Sequence, residues 1–232
     1  MSVMAINNMF KHSRLSALPP TLAGCDVQGL VARWLLDGSL TDQVSGRALT
    51  RVGTWNTTGY NMVWDIELNQ FVPVFTGSNY YTFNPAAHSG HAAFPSGKSA
   101  GTVTCWAKWR ATDNATPIAY GAGATDQARG IYVYSSAIQA WYVNGGVSSG
   151  INPLSDGTWH HCVFSYNGST VSNIVDGILQ ATVSRTLNTA LTLGEIGRFF
   201  TGNAMVGYVA DCRVYSEALS AARIEAIALG RA

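Results

Sequence analysis

The chain has 232 residues, 47% of them apolar and 11% aromatic, with 24 glycines, while charged residues make up only 12%, about half the usual share for a globular domain (about 25%). Lys plus Arg number 14 against 13 acids, a net charge of +1. That balance excludes the broad positive field of a nucleic-acid binder and the basic patch of a membrane-surface protein. The apolar content excludes disorder, and no apolar run approaches the length of a membrane span.

In chain order, residues 1–28 hold Pro19-Pro20 and few periodic positions. They are expected to form an extended arm, a floppy end or an anchor to a partner. The opening residues lack a basic stretch followed by an apolar core, so no export signal is read there. From Leu30 onward, short runs rich in Val, Ile, Tyr, Phe and Trp recur between Gly, Asn, Asp and Pro, the pattern of strands and turns. Such runs are Leu30–Leu35, Met62–Glu67, Tyr80–Phe83, Val103–Trp109, Gly130–Tyr134, Ile138–Val143, Cys162–Tyr166 and Ser172–Val175. Asn144-Gly145, Asn167-Gly168 and Asp176-Gly177 tolerate the positive φ that tight hairpins need. Ser220, the apolar Ile224, Ile227 and Leu229, and Gly230 predict one short C-terminal helix. About a dozen antiparallel strands with no repeat and no linker predict a single all-β domain over residues 29–232.

Cys25, Cys105, Cys162 and Cys212 lack metal-type spacing. The last three fall in strand-like runs as small core residues, with reduced thiols expected. A Cys105–Cys162 or Cys162–Cys212 bridge would require those strands to be neighbours.

The order of segments resembles the concanavalin A-like, laminin-G-like domains. Leu36-Asp37-Gly38 followed by Asp42-Gln43-Val44-Ser45-Gly46 looks like their opening turn and loop. Trp159-His160-His161-Cys162 resembles the central strand, and Val175-Asp176-Gly177 the hairpin after it. Leu193–Arg198 and Gly207–Ser220 resemble the closing segments. Each piece is weak alone; their order carries the resemblance. It implies an antiparallel two-sheet jelly-roll sandwich with Cys162 and Cys212 facing the core.

The same family includes glucan hydrolases, whose strand signature alternates three acids. Here Asp65 and Glu67 stand at the later two positions, but Val63 replaces the first. Hydrolysis needs two carboxyls flanking the bond, so no enzyme is expected, and Asp65 and Glu67 are assigned to the solvent face of an alternating strand. His160 and His161 point to opposite faces, one core and one surface. His88 and His91 have no ligand spacing, and the sequons at Asn56, Asn114 and Asn167 are taken as chance. Trp34, Trp106 and Trp159 are assigned to the core.

Family members often hold calcium, which takes six to eight oxygens. Asp37, Asp42 and Asp211 are the candidate ligands the resemblance implies. Ala210 stands where related sequences often carry a second acid, which removes one donor. The alternative is that Asp37 and Asp42 close turns on their own backbone.

Sugar recognition stacks aromatic faces on the apolar face of the ring and bonds hydroxyls with Asn, Asp and Arg in a shallow groove. Asp126, Arg129, Tyr132, Tyr134, Trp141 and Asn144 are the candidate ligand-binding residues. Because side chains alternate, at most two of Tyr132, Tyr134, Trp141 and Tyr142 are expected on one platform.

The function expected is a non-enzymatic, lectin-like binding module. A fold that works outside cells, read beside an opening without an export signal, points to the surface of a bacteriophage particle, as a decoration, fibre or tail component. Glycans and virion proteins, or self-association through the arm, are the expected partners. The alternatives are a purely structural particle protein, an extracellular protein exported by a non-classical route, and a divergent glycoside hydrolase.

Overall fold

The computed structural model describes residues 27–55, 61–88, 92–109, 114–134, 137–148, 157–200 and 202–229. The expected arm and Cys25, like His91 and Asn56, lie outside the described residues except for Val27 and Gln28. The strands are β1 (Leu30–Trp34), β2 (Thr50–Gly53), β3 (Met62–Asp65), β4 (Gln70–Thr76) and β5 (Asn79–Phe83). They continue with β6 (Gly101–Lys108), β7 (Ala115–Gly121), β8 (Ala128–Tyr134), β9 (Ala137–Tyr142) and β10 (Gly145–Ser148). The last five are β11 (Trp159–Tyr166), β12 (Thr170–Val175), β13 (Ile178–Ser184), β14 (Leu193–Ile196) and β15 (Val206–Tyr215), followed by helix α1 (Ala221–Ala228).

All strand pairs are antiparallel and fall into two sheets, as a jelly roll requires. The first sheet runs β13-β12-β11-β6-β15-β4-β3, with β1 paired to β15 beside that path. The second runs β10-β9-β8-β7-β14-β5-β2. Between them, alternate residues of both sheets interlock in one core that includes Trp34, Phe75, Phe83, Tyr120, Ile131, Ile138, Phe164 and Val214.

Local chemistry sets the turns. Asp176 (φ 52°) and Gly177 (φ 78°) form the primed turn that matches the twist of β12 and β13. Between β9 and β10 the turn is Val143-Asn144, with Asn144 alone at positive φ (63°) and Gly145 already paired with Tyr142, one residue earlier than the expected Asn144-Gly145. Two strands hidden from the alternation test contain proline. Pro73 of β4 lies opposite Met62 of the terminal strand β3, and Pro117 of β7 sits where the pairing with β8 shifts register. Both sites spare the sheet a missing N–H donor. At the C-terminus, the Ser220 side chain accepts from Arg223 N, as an N-cap should, and Ile224 and Ile227 are buried. They pack with Val163, Ile174 and Tyr215 on the outer face of the first sheet.

Cys105 and Cys162 stand directly opposite each other on β6 and β11, and both, with Cys212, are buried free thiols in the core. Neighbouring strands are thus present without a bridge. Trp34 is between the sheets and Trp159 is buried in a smaller cluster with Val72 and Ala210, both as expected, whereas Trp106 is only partly buried against that cluster. Large residues on the outward face of a sheet can be covered by loops as well as by a second layer.

Burial pushes the thiols of Cys105 and Cys162 well above their ordinary range. A thiol-specific reagent should therefore leave Cys105, Cys162 and Cys212 unmodified in the native protein and label them rapidly in denaturant. Mass spectrometry of tryptic peptides checks this, and fast native labelling of these three would contradict the sealed core.

Candidate functional site

Strands β8 and β9 fix the most concentrated set of sequence candidates. Their inward residues, Ile131, Val133, Ile138, Ala140 and Tyr142, belong to the core. The alternation therefore sends Tyr132, Tyr134, Gln139 and Trp141 to the outward face. The rings form a row, with Tyr132 centred 6.2 Å from Tyr134 and 5.8 Å from Trp141. Trp141 in turn meets the ring of Phe199 edge-on at 5.4 Å, and Phe199 packs on Phe200 and on Ala119 and Ala128. Tyr134 is half exposed, whereas Tyr132 is 9% exposed and forms the floor.

Together with Val143, Asn144, Gly145 and Gly146, these side chains line an open groove of about 450 Å³. Gly146 lies opposite Trp141. A Cβ there would meet the Gln139 Oε1 atom at 2.7 Å, so the bare backbone of β10 keeps the groove open beside the indole. Asn144 Nδ2 donates to Thr125 Oγ1 at 2.7 Å, and Tyr132 donates to Asn203 Oδ1 at 3.3 Å. The structure thus brings together four candidates, Tyr132, Tyr134, Trp141 and Asn144. Three aromatics share the platform where two were expected, because Tyr132 and Tyr134 sit two residues apart and Trp141 faces them from the next strand.

The two charged candidates do not line the groove, although Asp126 borders it, its N–H donating to Val143 O at 3.2 Å. Arg129 is fully buried on the inward face, where it donates to Thr189 Oγ1 (2.7 Å), Gly97 O (3.1 Å) and Ser99 O (2.8 Å) and lies 5.1 Å from the Tyr166 ring. Asp126 accepts twice from Arg185, at 2.7 and 2.9 Å. Phe199 and Gln139 were not legible as site residues. Phe199 reaches Trp141 only through the loop between β14 and β15, and Gln139 carries no motif.

A second depression of about 510 Å³ lies by β2 and β5, lined by residues including Arg47, Thr50, Thr82, Asn84, His88 and Thr192. Its one aromatic carbon ring, Phe83, is 5% exposed, so it offers no stacking platform.

The calcium candidates do not converge. Asp37 accepts from Ser39 N in a short turn. Buried Asp42 accepts from the backbone N–H groups of Arg33, Val44 and Ser45 and from the Ser45 hydroxyl. Asp211 accepts from Arg33 Nε (2.8 Å) and Nη2 (3.1 Å) and from Arg213 Nε (3.1 Å) and Nη2 (2.7 Å). Burial favours its neutral form, but the charges and hydrogen bonds of Arg213 and Arg33 outweigh this and hold its carboxyl well below the usual range. Among the described residues, no group of three or more His, Cys, Asp or Glu side chains is placed to hold a metal ion, and the three carboxylates do not fit a shared calcium shell.

The hydrolase-like acids are also differently placed than expected. β3 ends at Asp65, which is buried and accepts from Trp159 Nε1 (3.0 Å), Glu67 N (2.9 Å), Leu68 N (3.0 Å) and Lys108 Nζ (3.3 Å). Glu67 is in the following turn, exposed, and pairs with Lys108 at 3.0 Å. An aspartate that closes a turn cannot continue the strand's alternation. His160 and His161 do face opposite sides, but both are buried. His160 Nδ1 lies 2.9 Å from Asp176 Oδ2, while both nitrogens of His161 lack a partner.

The concanavalin A-like lectin/glucanases superfamily matches residues 75–225, more than half of the chain. The chain belongs to the concanavalin A-like lectin/glucanase superfamily. No curated protein sequence matches it. Among solved structures, domain 4 of the extracellular GH43 arabinanase AbnA from Geobacillus stearothermophilus, in complex with arabinotriose, is 15% identical with a TM-score of 0.65, covering 86% of this chain and 98% of that domain. Trypanosoma rangeli sialidase in complex with sialic acid is 16% identical with a TM-score of 0.60, and its match spans 98% of this chain but only 38% of the sialidase. The HCR/D W1238A mutant, 12% identical with a TM-score of 0.60, is matched over 87% of this chain and 51% of its own. At these identities the likeness shows the superfamily's sandwich fold.

The buried ionisable groups give the domain a defined acid response. Burial, aided by the Arg213 charge, lowers the His161 pKa to about 4. An unfolded histidine takes up its proton near pH 6.5, so between about 6.5 and 4 the unfolded chain binds one more proton than the folded one. Stability should fall with falling pH across that window by about 1.4 kcal/mol per unit from this group. Below pH ~3.9, Asp211 adds to the loss, since its unfolded carboxyl is protonated while the folded one stays ionised. Urea melts between pH 7 and 4 check the first window; His161→Gln should remove its slope.

Proposed function

We propose that this domain is a non-enzymatic, lectin-like module that binds glycans in the groove on β8–β10. The observation that carries the reading is the outward row of Tyr134, Tyr132 and Trp141 beside uncharged Gln139 and Asn144, over a wall left bare by Gly146. Aromatic faces bury the C–H face of a sugar, and amides and phenols meet its hydroxyls. Trp141 is held edge-on by Phe199 before any ligand arrives, which lowers the ordering cost of binding. The neighbouring domain in complex with arabinotriose supports a sugar ligand by analogy of fold. Against catalysis stands the arrangement of Asp65, whose oxygens are engaged by Trp159, Lys108 and the following turn. On a bacteriophage particle, the placement expected from the sequence, the groove would face host glycans while the segment before β1 holds the particle.

Two substitutions test the groove from opposite directions. Trp141→Ala removes a platform and should weaken glycan binding about tenfold or more, the equivalent of ~1.4 kcal/mol. Gly146→Val fills the space beside the indole; the atom it meets is the end of the flexible Gln139 side chain, so binding should be lost while the melting temperature stays near wild type. A glycan array followed by calorimetry reads both. Unchanged binding in both variants would remove the groove from the proposal. A chain lacking residues 1–26 should keep its glycan affinity yet fail to join particles; incorporation of that chain would end the anchoring role.

A further inference from the structure

A glycan site can take neutral or acidic chains, and the chemistry of this groove's lining distinguishes between them. We propose, resting on the glycan-binding reading above, that it selects an uncharged oligosaccharide and rejects chains carrying a carboxylate.

The first ground is the absence of charge from its lining, which holds Tyr132, Tyr134, Gln139, Trp141, Val143 and Asn144 with two glycines. The nearby cations that a carboxylate would need are committed. Arg185 closes on Asp126 with two hydrogen bonds. Arg129, one residue before the outward-facing Gly130, points the other way into the sandwich and bonds to Thr189, Gly97 and Ser99. Arg198 pairs with Glu195 at 3.1 Å and lies 3.7 Å from the Tyr80 ring.

A carboxylate entering an aromatic groove gives up hydration, and carboxylate recognition ordinarily returns that loss through a bidentate arginine or several N–H donors. Among the described residues of the lining there is no such group. A neutral sugar has no such loss to recover: its hydroxyls meet amide and phenol groups that both donate and accept. The second ground is the spacing of the rings. Steps of 6.2 and 5.8 Å from Tyr134 through Tyr132 to Trp141 are of the order of one sugar residue along a chain. The groove therefore favours a run of consecutive residues over a single sugar.

Matched probes test the charge and the length separately. Cellotetraose and galactotetraose are titrated beside the same chains oxidised at C6 to uronic acids, lactose beside 3′-sialyllactose, and arabinotriose beside arabinose, with tryptophan fluorescence and calorimetry as readouts. The expected result is that at least one neutral chain binds about tenfold or more tighter than its acidic counterpart and than its monosaccharide, and that Trp141→Ala abolishes the difference. Gln139→Arg, which places a cation beside the indole, should raise the affinity for the matching acid about tenfold at low salt and reverse the preference. Equal or tighter binding of the acids, lost in Trp141→Ala, overturns the neutral selectivity and leaves the groove as the glycan site. Binding that ignores both Trp141→Ala and Gly146→Val overturns the groove itself. No binding of any probe overturns the selectivity and counts against the glycan-binding reading together.

Discussion

Arg33 on β1 and Arg213 on β15 stand opposite each other in register, and both close on the carboxylate of Asp211 with paired hydrogen bonds. The geometry depends on a break in β15. Asp211 has φ 43° and lies where the pairing with β6 shifts register between Ala210 and Arg213. A bulge at that point turns one extra side chain out of the ladder and lets it serve both guanidinium groups. Two cations on one anion would repel if the anion were absent, so the strand pairing and the bulge support each other. Much else follows from it. β1 is joined to the first sheet through β15, and β1 carries Trp34 into the core. The N–H of Arg33 binds Asp42, which organises the loop leading to β2. Sequence ends 178 residues apart are thus tied at one carboxylate.

The same cluster accounts for where the chain's few charges go. Arg33, Arg129 and Arg213 are almost wholly buried, each hydrogen-bonded to acids, hydroxyls or carbonyls inside the protein. A chain with 14 basic residues that commits these to its interior leaves a more neutral outer surface than its composition suggests. The face made by β8–β10 inherits that neutrality. These desolvated guanidinium groups, turned to partners inside the protein, are structural parts here.

Much of this was legible in residues with a local reason for their conformation. Asp176-Gly177 and Ser220 act through their own backbone geometry, so that hairpin and the helix cap read directly, while the β9–β10 turn falls one residue early, on Val143-Asn144. Cys162 and Cys212 face the core as the resemblance implied. What depends on distant partners did not read. Asp65 alternates correctly in sequence but is drawn inward by Trp159, 94 positions away. Arg129 stands beside aromatic strands yet turns to carbonyls of the 97–99 loop. Pro73 and Pro117 hid β4 and β7, because their tolerance depends on which neighbour lies alongside. In the groove, Trp141 and the two tyrosines were visible as candidates, but their common face emerged only from the pairing of β8 with β9. Phe199 comes from a loop that no local rule aims at Trp141.

The alternation along β8 and β9 has a consequence for how such a domain can change. Ile131, Val133, Ile138 and Ala140 hold the sandwich together, while Tyr132, Tyr134, Gln139 and Trp141 touch the outside world from the intervening positions. Core packing and the proposed recognition therefore fall to the same two strands on separate, interleaved sets of residues. Substitutions in one set leave the other in place, so the outer row can be rewritten for a new ligand without the fold having to be discovered again.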